Sequence, residues 1–511
     1  MLNRLVMAMV LAGLAGCAAV GPDFSNPEPG NTVAGNYRHA TAQAGKASAI
    51  APAPAHAGHT SGQAPAGSLP AQWWTVFADP VLNGLQQQAL ANNPGVKAAA
   101  ERLLQARAQL GISRANDGPQ VNLGASVANS RTSAATPQAH ALGGHAISGN
   151  QYTVGASMAY EVDLWGKLRR INEAAAAQVD VASLDRDGVL LVLTSQVANT
   201  YWQWRGVNAE MAILQQSLAS RQQSQQLVES RFAGGIGNEL DVSRARLESA
   251  NAQADLAEVE RQRNTLEHLL AVLVGSSPSQ ALAALQDGAT VAPGGVATPG
   301  TSPVPSADGL NEPPAIPAGL PAQLLAQRPD LAQSVAQLRA LNAQIGVAQS
   351  AFYPSLSLTG NFGYASQDLR DLAQGGSRQF SIGPLALSLP IFDGGRNQAN
   401  LELAQSRYRE ALENHQTRLL NALREVEDAL SDTEQKQKQG MLQAQAQQAA
   451  LRAYAVAFAR YEHGVSNYLD VTDAQRSALA AQRAAVQIRT QRYLAATAVA
   501  RALGGGWQPK A

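Results

Sequence analysis

Apolar positions along this chain follow two rhythms, one of period near 3.6 and one of period 2. From Gly166 to about Phe232 they recur at helical spacing, with no Pro and only isolated glycines at Gly188 and Gly206. At 1.5 Å per residue such a helix reaches roughly 100 Å. A return helix is expected from residue 238 to about 274. The same order comes again later, with helices over residues 320–351, 396–463 and 467–503. A further helix runs from the start signal Asp79-Pro80 to about Ser113. Helices of this length need lateral partners along their whole course, so the pattern predicts a coiled-coil-like bundle or wall.

The second rhythm appears where each half passes from its first helix to its long one. Tyr152, Val154, Ala156, Met158, Tyr160 and Val162 alternate with Thr153, Gly155, Ser157, Ala159 and Glu161. Val121, Leu123, Ala125 and Val127 alternate likewise, as do Leu356, Leu358, Phe362 and Tyr364. These are strands apolar on one side. A fourth, with Leu385, Leu387, Leu389 and Ile391, is less regular: Phe380 and Ile382 fall on the opposite parity, and Pro384 suggests a bulge between. Each half therefore holds one hairpin. Strands of about 9–11 residues suit a bilayer, and Tyr152 and Tyr160 are spaced for two aromatic girdles. Soluble hairpins alternate in the same way. If these strands span, four of them cannot close a barrel, so several copies must pool theirs, and three copies would supply twelve.

The chain repeats itself. Residues 231–242, from Arg231-Phe232 through Gly235, Asn238 and Leu240 to Asp241-Val242, return as residues 460–471, from Arg460-Tyr461 through Gly464, Asn467 and Leu469 to Asp470-Val471, a shift of 460 − 231 = 229. Ala108-Gln109-Leu110-Gly111-Ile112 with Pro119 matches Ala343-Gln344-Ile345-Gly346-Val347 with Pro354. A period so far beyond that of solenoids indicates an internal duplication of one multi-element unit.

Composition narrows the classes. The 511 residues carry a formal net charge of zero, with 15% charged and 5% aromatic residues, which gives no electrostatic case for nucleic acid. No G-x-S-x-G, P-loop or H-E-x-x-H occurs, so no enzyme is expected and no cofactor. His56 and His59 lack a third ligand and are not read as a metal site. At the N-terminus Arg4 precedes an apolar stretch, Leu5 to Leu14, too short to span a bilayer as a helix. Leu14-Ala15-Gly16-Cys17 then matches a bacterial lipobox, and Cys17 is the only cysteine of the chain. Residues 1–16 are thus read as a leader and 17–70 as a lipid-bearing flexible tether, with Ala18 following the pattern for release to the outer membrane. Residues 71–280 and 320–511 form the two repeats, and 281–319 the linker between them.

These residues together resemble the TolC/OprM-type outer-membrane efflux channels, in the lipoprotein branch often labelled NodT. The resemblance rests on Cys17 with Gly21-Pro22-Asp23, Trp73-Trp74 with Phe77 and Asp79-Pro80, and Asp163-Leu164-Trp165-Gly166-Lys167. In the second half it rests on Leu320-Pro321, Arg328-Pro329-Asp330, Phe352-Tyr353-Pro354, Phe392-Asp393-Gly394-Gly395-Arg396, and the turn from Arg460 to Asp473. It implies a homotrimer with a twelve-stranded outer-membrane β-barrel and a periplasmic α-barrel. Such a channel serves as the passive exit duct of a tripartite system, with a periplasmic adaptor and an inner-membrane transporter as partners, and expels drugs or other small toxic compounds. The contrasting class is a lipid-anchored structural coiled coil without a pore.

The candidate residues lie at the helical hairpin tips. Asp470 and Asp473, three residues apart, share one helix face and in a threefold assembly would form two stacked carboxylate rings. The resembled channels have aspartates at both positions at the periplasmic entrance. Asn467 with Asp470 also reads as a helix cap, repeated by Asn238 with Asp241, so cap and gate stand side by side for Asp470. At the 229 shift Asp473 falls on Arg244, so the duplicated helix start does not itself require an acid there. Gly235, Asn238 and Leu240, with Gly464, Asn467 and Leu469, are the expected adaptor contacts. Tyr201, Trp202 and Trp204 are expected to pack the helical wall.

Overall fold

The computed structural model describes residues 19–27, 37–39, 69–141, 143, 145–280, 282, 285, 312–316 and 327–508. Cys17, His56 and His59 lie outside them. In order, the elements are α1 (Pro80–Asn92), α2 (Pro94–Ala115), β1 (Gln120–Arg131), α3 (Pro137–Ala141), β2 (Ser148–Val162), α4 (Lys167–Ala233) and α5 (Glu239–Leu273). The second half supplies α6 (Pro329–Ser350), β3 (Ser355–Ser366), β4 (Arg378–Ser388), α7 (Arg396–Glu462) and α8 (Tyr468–Ala502). The duplication is literal in length: α4 and α7 each have 67 residues, α5 and α8 each 35. Ahead of the hairpins the shift is 329 − 94 = 235 and behind them 396 − 167 = 229, so the second hairpin absorbs the difference.

The helix expected over 80 to about 113 is two helices. Pro94 crowds the residue before it out of the α region, and Asn93 has φ −59° and ψ 125°. Its side chain makes use of the break, accepting from the Gly95 and Val96 amides at 2.7 and 3.3 Å and donating to the Leu273 carbonyl at 2.8 Å.

The described residues form two compact units, one drawn from within residues 1–28, 102–183 and 333–415 and one from within residues 29–101, 184–332 and 416–511. In the first, the four strands form one antiparallel sheet in the order β1-β2-β3-β4. The register aligns Leu123 with Ala156 and Phe362, and Val121 with Met158 and Gly360, so the apolar members of β1, β2 and β3 share a face. On β4 the register slips between Leu358, paired with Leu385, and Gly360, paired with Ile382. That slip is the expected bulge, and it returns Phe380 and Ile382 to the face that carries Leu385 and Leu387. The strand stops at Ser388, before Leu389 and Ile391. The apolar face is bare: Leu123 is 83% and Ile382 82% exposed. The opposite face is polar, with the Ser126 and Thr153 hydroxyls 2.5 Å apart. Gly155 and Gly363 face each other there, and a Cβ on Gly363 would strike the Val154 carbonyl.

The helix starts beside the sheet are capped by residues of the signature motifs. Asp163 accepts the Leu168 and Arg169 amides, and Asp393 accepts those of Gly395 and Asn397. Trp165 Nε1 donates to the Pro354 carbonyl at 2.8 Å and its ring meets Tyr353 at 5.0 Å. The segment following Cys17 is tied to this unit. The Val20 amide donates to the Trp165 carbonyl at 2.9 Å, and the buried Arg170 guanidinium donates to the carbonyls of Val20 and Gly21 and to Asp23.

The second unit centres on an aromatic cluster. Trp73, Trp74, Tyr201, Trp202, Trp204 and Tyr493 are buried together, with Trp202 stacked on Tyr493 at 4.2 Å between ring centroids. Tyr201, Trp202 and Trp204 thus pack the wall, as expected. Asp79 caps α1 through the Leu82 amide and also accepts from Tyr201 Oη at 2.8 Å and Arg205 at 3.0 Å. Burial, then the charge of Asp79, raises the Tyr201 pKa. Within the expected tether, residues 37–39 are packed rather than loose. Tyr37 is buried, and the Arg38 and His39 amides donate to the Glu427 carboxylate. Of the expected linker, Leu285 and Ile316 join the same core.

Candidate functional site

The two hairpin tips reverse direction by the same device. At the first, the Ile236 amide donates to the Arg231 carbonyl at 2.9 Å and the Gly235 amide to that of Phe232 at 3.0 Å. At the second, Val465 donates to Arg460 at 2.9 Å and Gly464 to Tyr461 at 2.9 Å. Gly235 has φ +77° and Gly464 φ +73°, a left-handed helix stop that a side chain would strain. The descending helices then begin alike. Asn238 Oδ1 accepts the Asp241 amide at 2.8 Å, and Asn467 Oδ1 accepts the Asp470 amide at 3.0 Å.

This divides the roles that the sequence left together at Asp470. The capping acceptor is Asn467, and Asp470 contributes its backbone N–H, so the carboxylate is not the cap. Asp470 and Asp473 are both exposed, and neither carboxylate has a hydrogen bond or ion pair among the described residues. Asp241, the counterpart of Asp470, differs: Arg244 lies 3.5 Å from it, at the position corresponding to Asp473. Leu240 and Leu469 project beside the caps, 57% and 40% exposed, and Ile236 and Val465 are more exposed still.

Behind the tips a small apolar core joins the two hairpins, with Val228, Val242, Ala245, Tyr461, Tyr468 and Val471 buried together. Burial raises the Tyr468 pKa. Arg231 closes this core. Its guanidinium lies 4.5 Å from the centre of the Tyr461 ring and donates to the carbonyls of Tyr461 and Glu462 at 3.2 and 3.0 Å. Those carbonyls end α7, where a cation is favoured by the helix dipole. Farther along, Glu248, 3% exposed, is held by Arg221 at 2.7 Å and by Arg476 of α8. The hydrogen bond to Glu248 raises the Arg476 pKa. Arg483 of α8 reaches Glu210 at 2.7 Å.

These ionic links were not identified from sequence. Their only signal there was a charge set among the small and apolar positions of a helical stripe, which solvated helices also show. Beside the second tip lies an open groove of about 600 Å³, lined by Ala449, Arg452, Ala453, Val456, Ala457, Arg460, Ser466 and Asp470. Among the described residues no group of three or more His, Cys, Asp or Glu could hold a metal ion, and no helix is long and apolar enough to cross a membrane.

Comparison with known proteins agrees with this arrangement. The family described as outer membrane efflux protein matches residues 85–276 and 320–505, one stretch in each repeat. The outer membrane protein OprJ of Pseudomonas aeruginosa is 35% identical over 438 residues, covering 85% of this chain and 86% of that one. The cation efflux system protein CusC of Escherichia coli O6:H1 is 31% identical over 442 residues, covering 86% of this chain and 89% of that one. The Campylobacter jejuni CmeC outer membrane channel superposes with a TM-score of 0.79 at 26% identity, over 96% of each chain.

Proposed function

The chain belongs to the outer membrane efflux protein family, and from that premise we propose that three copies pool their strands into a twelve-stranded barrel and their long helices into a periplasmic tunnel. The observation that carries this reading is the sheet. Its four strands end in edges at β1 and β4, one face is polar, and the other is apolar and bare. A lipid bilayer matches the bare face, and only identical neighbours can pair the open edges without leaving backbone groups unsatisfied in hydrocarbon.

The assembled duct passively conducts drugs or other small toxic compounds, handed on by a periplasmic adaptor and an inner-membrane transporter. Relatives named for cation efflux widen that range of cargo. Cys17 carries acyl chains in the outer membrane, a reading supported by the docking of residues 20–23 onto the unit that holds the sheet. Asp470 and Asp473 form the periplasmic gate. The exposed Leu240 and Leu469, with the glycine and asparagine turns behind them, meet the adaptor.

Reconstitution into planar bilayers tests the duct: detergent-extracted protein of three-chain mass gives stable conductance, whereas a pore-less scaffold gives none. Replacing both gate carboxylates, Asp470→Asn with Asp473→Asn, lowers cation preference and relieves block by multivalent cations. Unchanged currents reject the gate assignment. Cys17→Ala removes the acyl mass and releases the chain from anchorage at the membrane.

A further inference from the structure

Charge is sparse on the four strands, and its placement is uneven. Of the residues in β1 to β4 only Arg131, Glu161 and Arg378 are charged. Glu161 lies on the polar face at the helix end of the sheet, 3.0 Å from Lys167 Nζ. The two arginines lie on the other face. Arg131 pairs with Ser148 and keeps the parity of Leu123 and Val127, and Arg378 pairs with Tyr364 and keeps that of Phe380. Each is the last strand residue at the loop end of an open edge, since β1 finishes at Arg131 and β4 starts at Arg378. Both are exposed, and neither side chain has a hydrogen bond or ion pair among the described residues.

The face that carries them changes from apolar to polar along its length. At the helix end it presents Val121, Tyr160, Leu356 and Leu387 and no charge. Tyr152 and Tyr364 stand near the loop end, where Asn129 Nδ2 also donates to Asn150 Oδ1 at 2.7 Å. This is the order of a membrane interface, an apolar band followed by an aromatic girdle and then headgroup level. An arginine suits such a boundary by laying its stem on apolar surface and keeping its guanidinium among polar groups. Two cations at one end and none at the other suit a bilayer whose outer leaflet holds the denser fixed negative charge. A guanidinium matches phosphate oxygens through paired N–H donors.

We propose that Arg131 and Arg378 bind the phosphate of a phosphorylated glycolipid in the outer leaflet, with one arginine coming from each of two neighbouring copies. Within one chain β2 and β3 stand between the two arginines. Antiparallel pairing of β1 of one copy with β4 of the next brings their loop ends to one rim, where Arg131 meets Arg378 of the partner subunit. The amides of Asn129 and Asn150 and the hydroxyls of Ser148 and Ser366, on the same face at the same end, offer partners to sugar hydroxyls. A phosphate shared by both arginines bridges the seam between copies. This inference rests on the reading of the chain as a barrel-forming channel subunit.

Lipid selectivity tests it. Full-length chains are reconstituted into phosphatidylcholine nanodiscs doped either with a bis-phosphorylated glucosamine lipid or with the same lipid stripped of its phosphates, and the lipid retained on return to detergent is counted by native mass. The wild-type three-chain assembly keeps the phosphorylated lipid at least about tenfold over the stripped one. Arg131→Gln and Arg378→Gln each abolish that preference. Chains of the two variants produced together recover part of it, because a mixed assembly contains one seam with both arginines. Inorganic phosphate at matching concentration leaves the lipid in place. Equal retention of the two lipids by wild-type three-chain assemblies overturns this inference and leaves the channel reading standing, and that arm needs no variant. Displacement by inorganic phosphate overturns the lipid assignment, and mixed assemblies that recover nothing overturn the two-copy site. Chains that remain single overturn both this inference and the reading beneath it.

Discussion

The two hairpin tips share a backbone and differ in what their side chains are asked to do. Both reverse through a left-handed glycine, both restart on an asparagine cap, and both continue into helices of equal length. In the first tip the charges are answered locally, Asp241 by Arg244 and the Arg231 guanidinium by the carbonyls of α7. In the second, Asp470, Asp473 and Arg460 form no hydrogen bond or ion pair among the described residues, although the charge of Asp473 acts on Arg476. Duplication first gives two equivalent structures. The side chains on the two backbones have since diverged.

The comparison breaks most severely at Glu248. Its carboxylate is buried between Arg221 and Arg476, and removing one partner of such a cluster costs about 3–5 kcal/mol. Glu248→Ala is expected to do so, seen as faster amide exchange along α5 and α8. Ser477→Ala, at the exposed counterpart position, changes stability by less than about 0.5 kcal/mol. Next come the reversals. Gly235→Val and Gly464→Val each force a β-branched residue into the left-handed region at a cost of about 1–2 kcal/mol, read from unfolding midpoints in detergent. Equal losses at the two tips confirm that the backbone device is shared.

The caps give a smaller version of the same test, since Asn238→Ala and Asn467→Ala each cost about 1 kcal/mol. A loss confined to one cap would mean that the tips are not equivalent. The smallest effect on stability separates structure from transport. Asp241→Asn gives up a partly exposed ion pair worth about 0.2–1 kcal/mol and leaves single-channel ion preference unchanged. Asp470→Asn with Asp473→Asn leaves the unfolding midpoint unchanged and shifts the ion preference.

Much of this was legible in the chain. The repeated Gly–Asn–Leu–Asp order of the tips located both helix reversals to within a residue, because left-handed stops and asparagine caps are local chemistry. Alternation located the strands, since a face toward solvent and a face toward lipid must each be chemically uniform. Local rules also failed at local sites. The helix expected across residues 80–113 ignored Pro94, whose ring alone forbids it. The glycines and prolines near residues 37–39 suggested a free tether, yet Tyr37 is buried and the neighbouring amides reach Glu427, hundreds of positions away.

By itself the sequence determined the periodicities, the stops and caps, and the fact of duplication, because each depends on residues close together along the chain. The tertiary structure alone decided which charges are satisfied. Pairing across strands placed Phe380 and Ile382 on the same face as Leu385 and Leu387, and packing across helices buried Glu248 while leaving Asp470 and Asp473 bare. A charge carries no mark of whether its partner lies three residues or more than two hundred away, and only folding brings the second kind within reach.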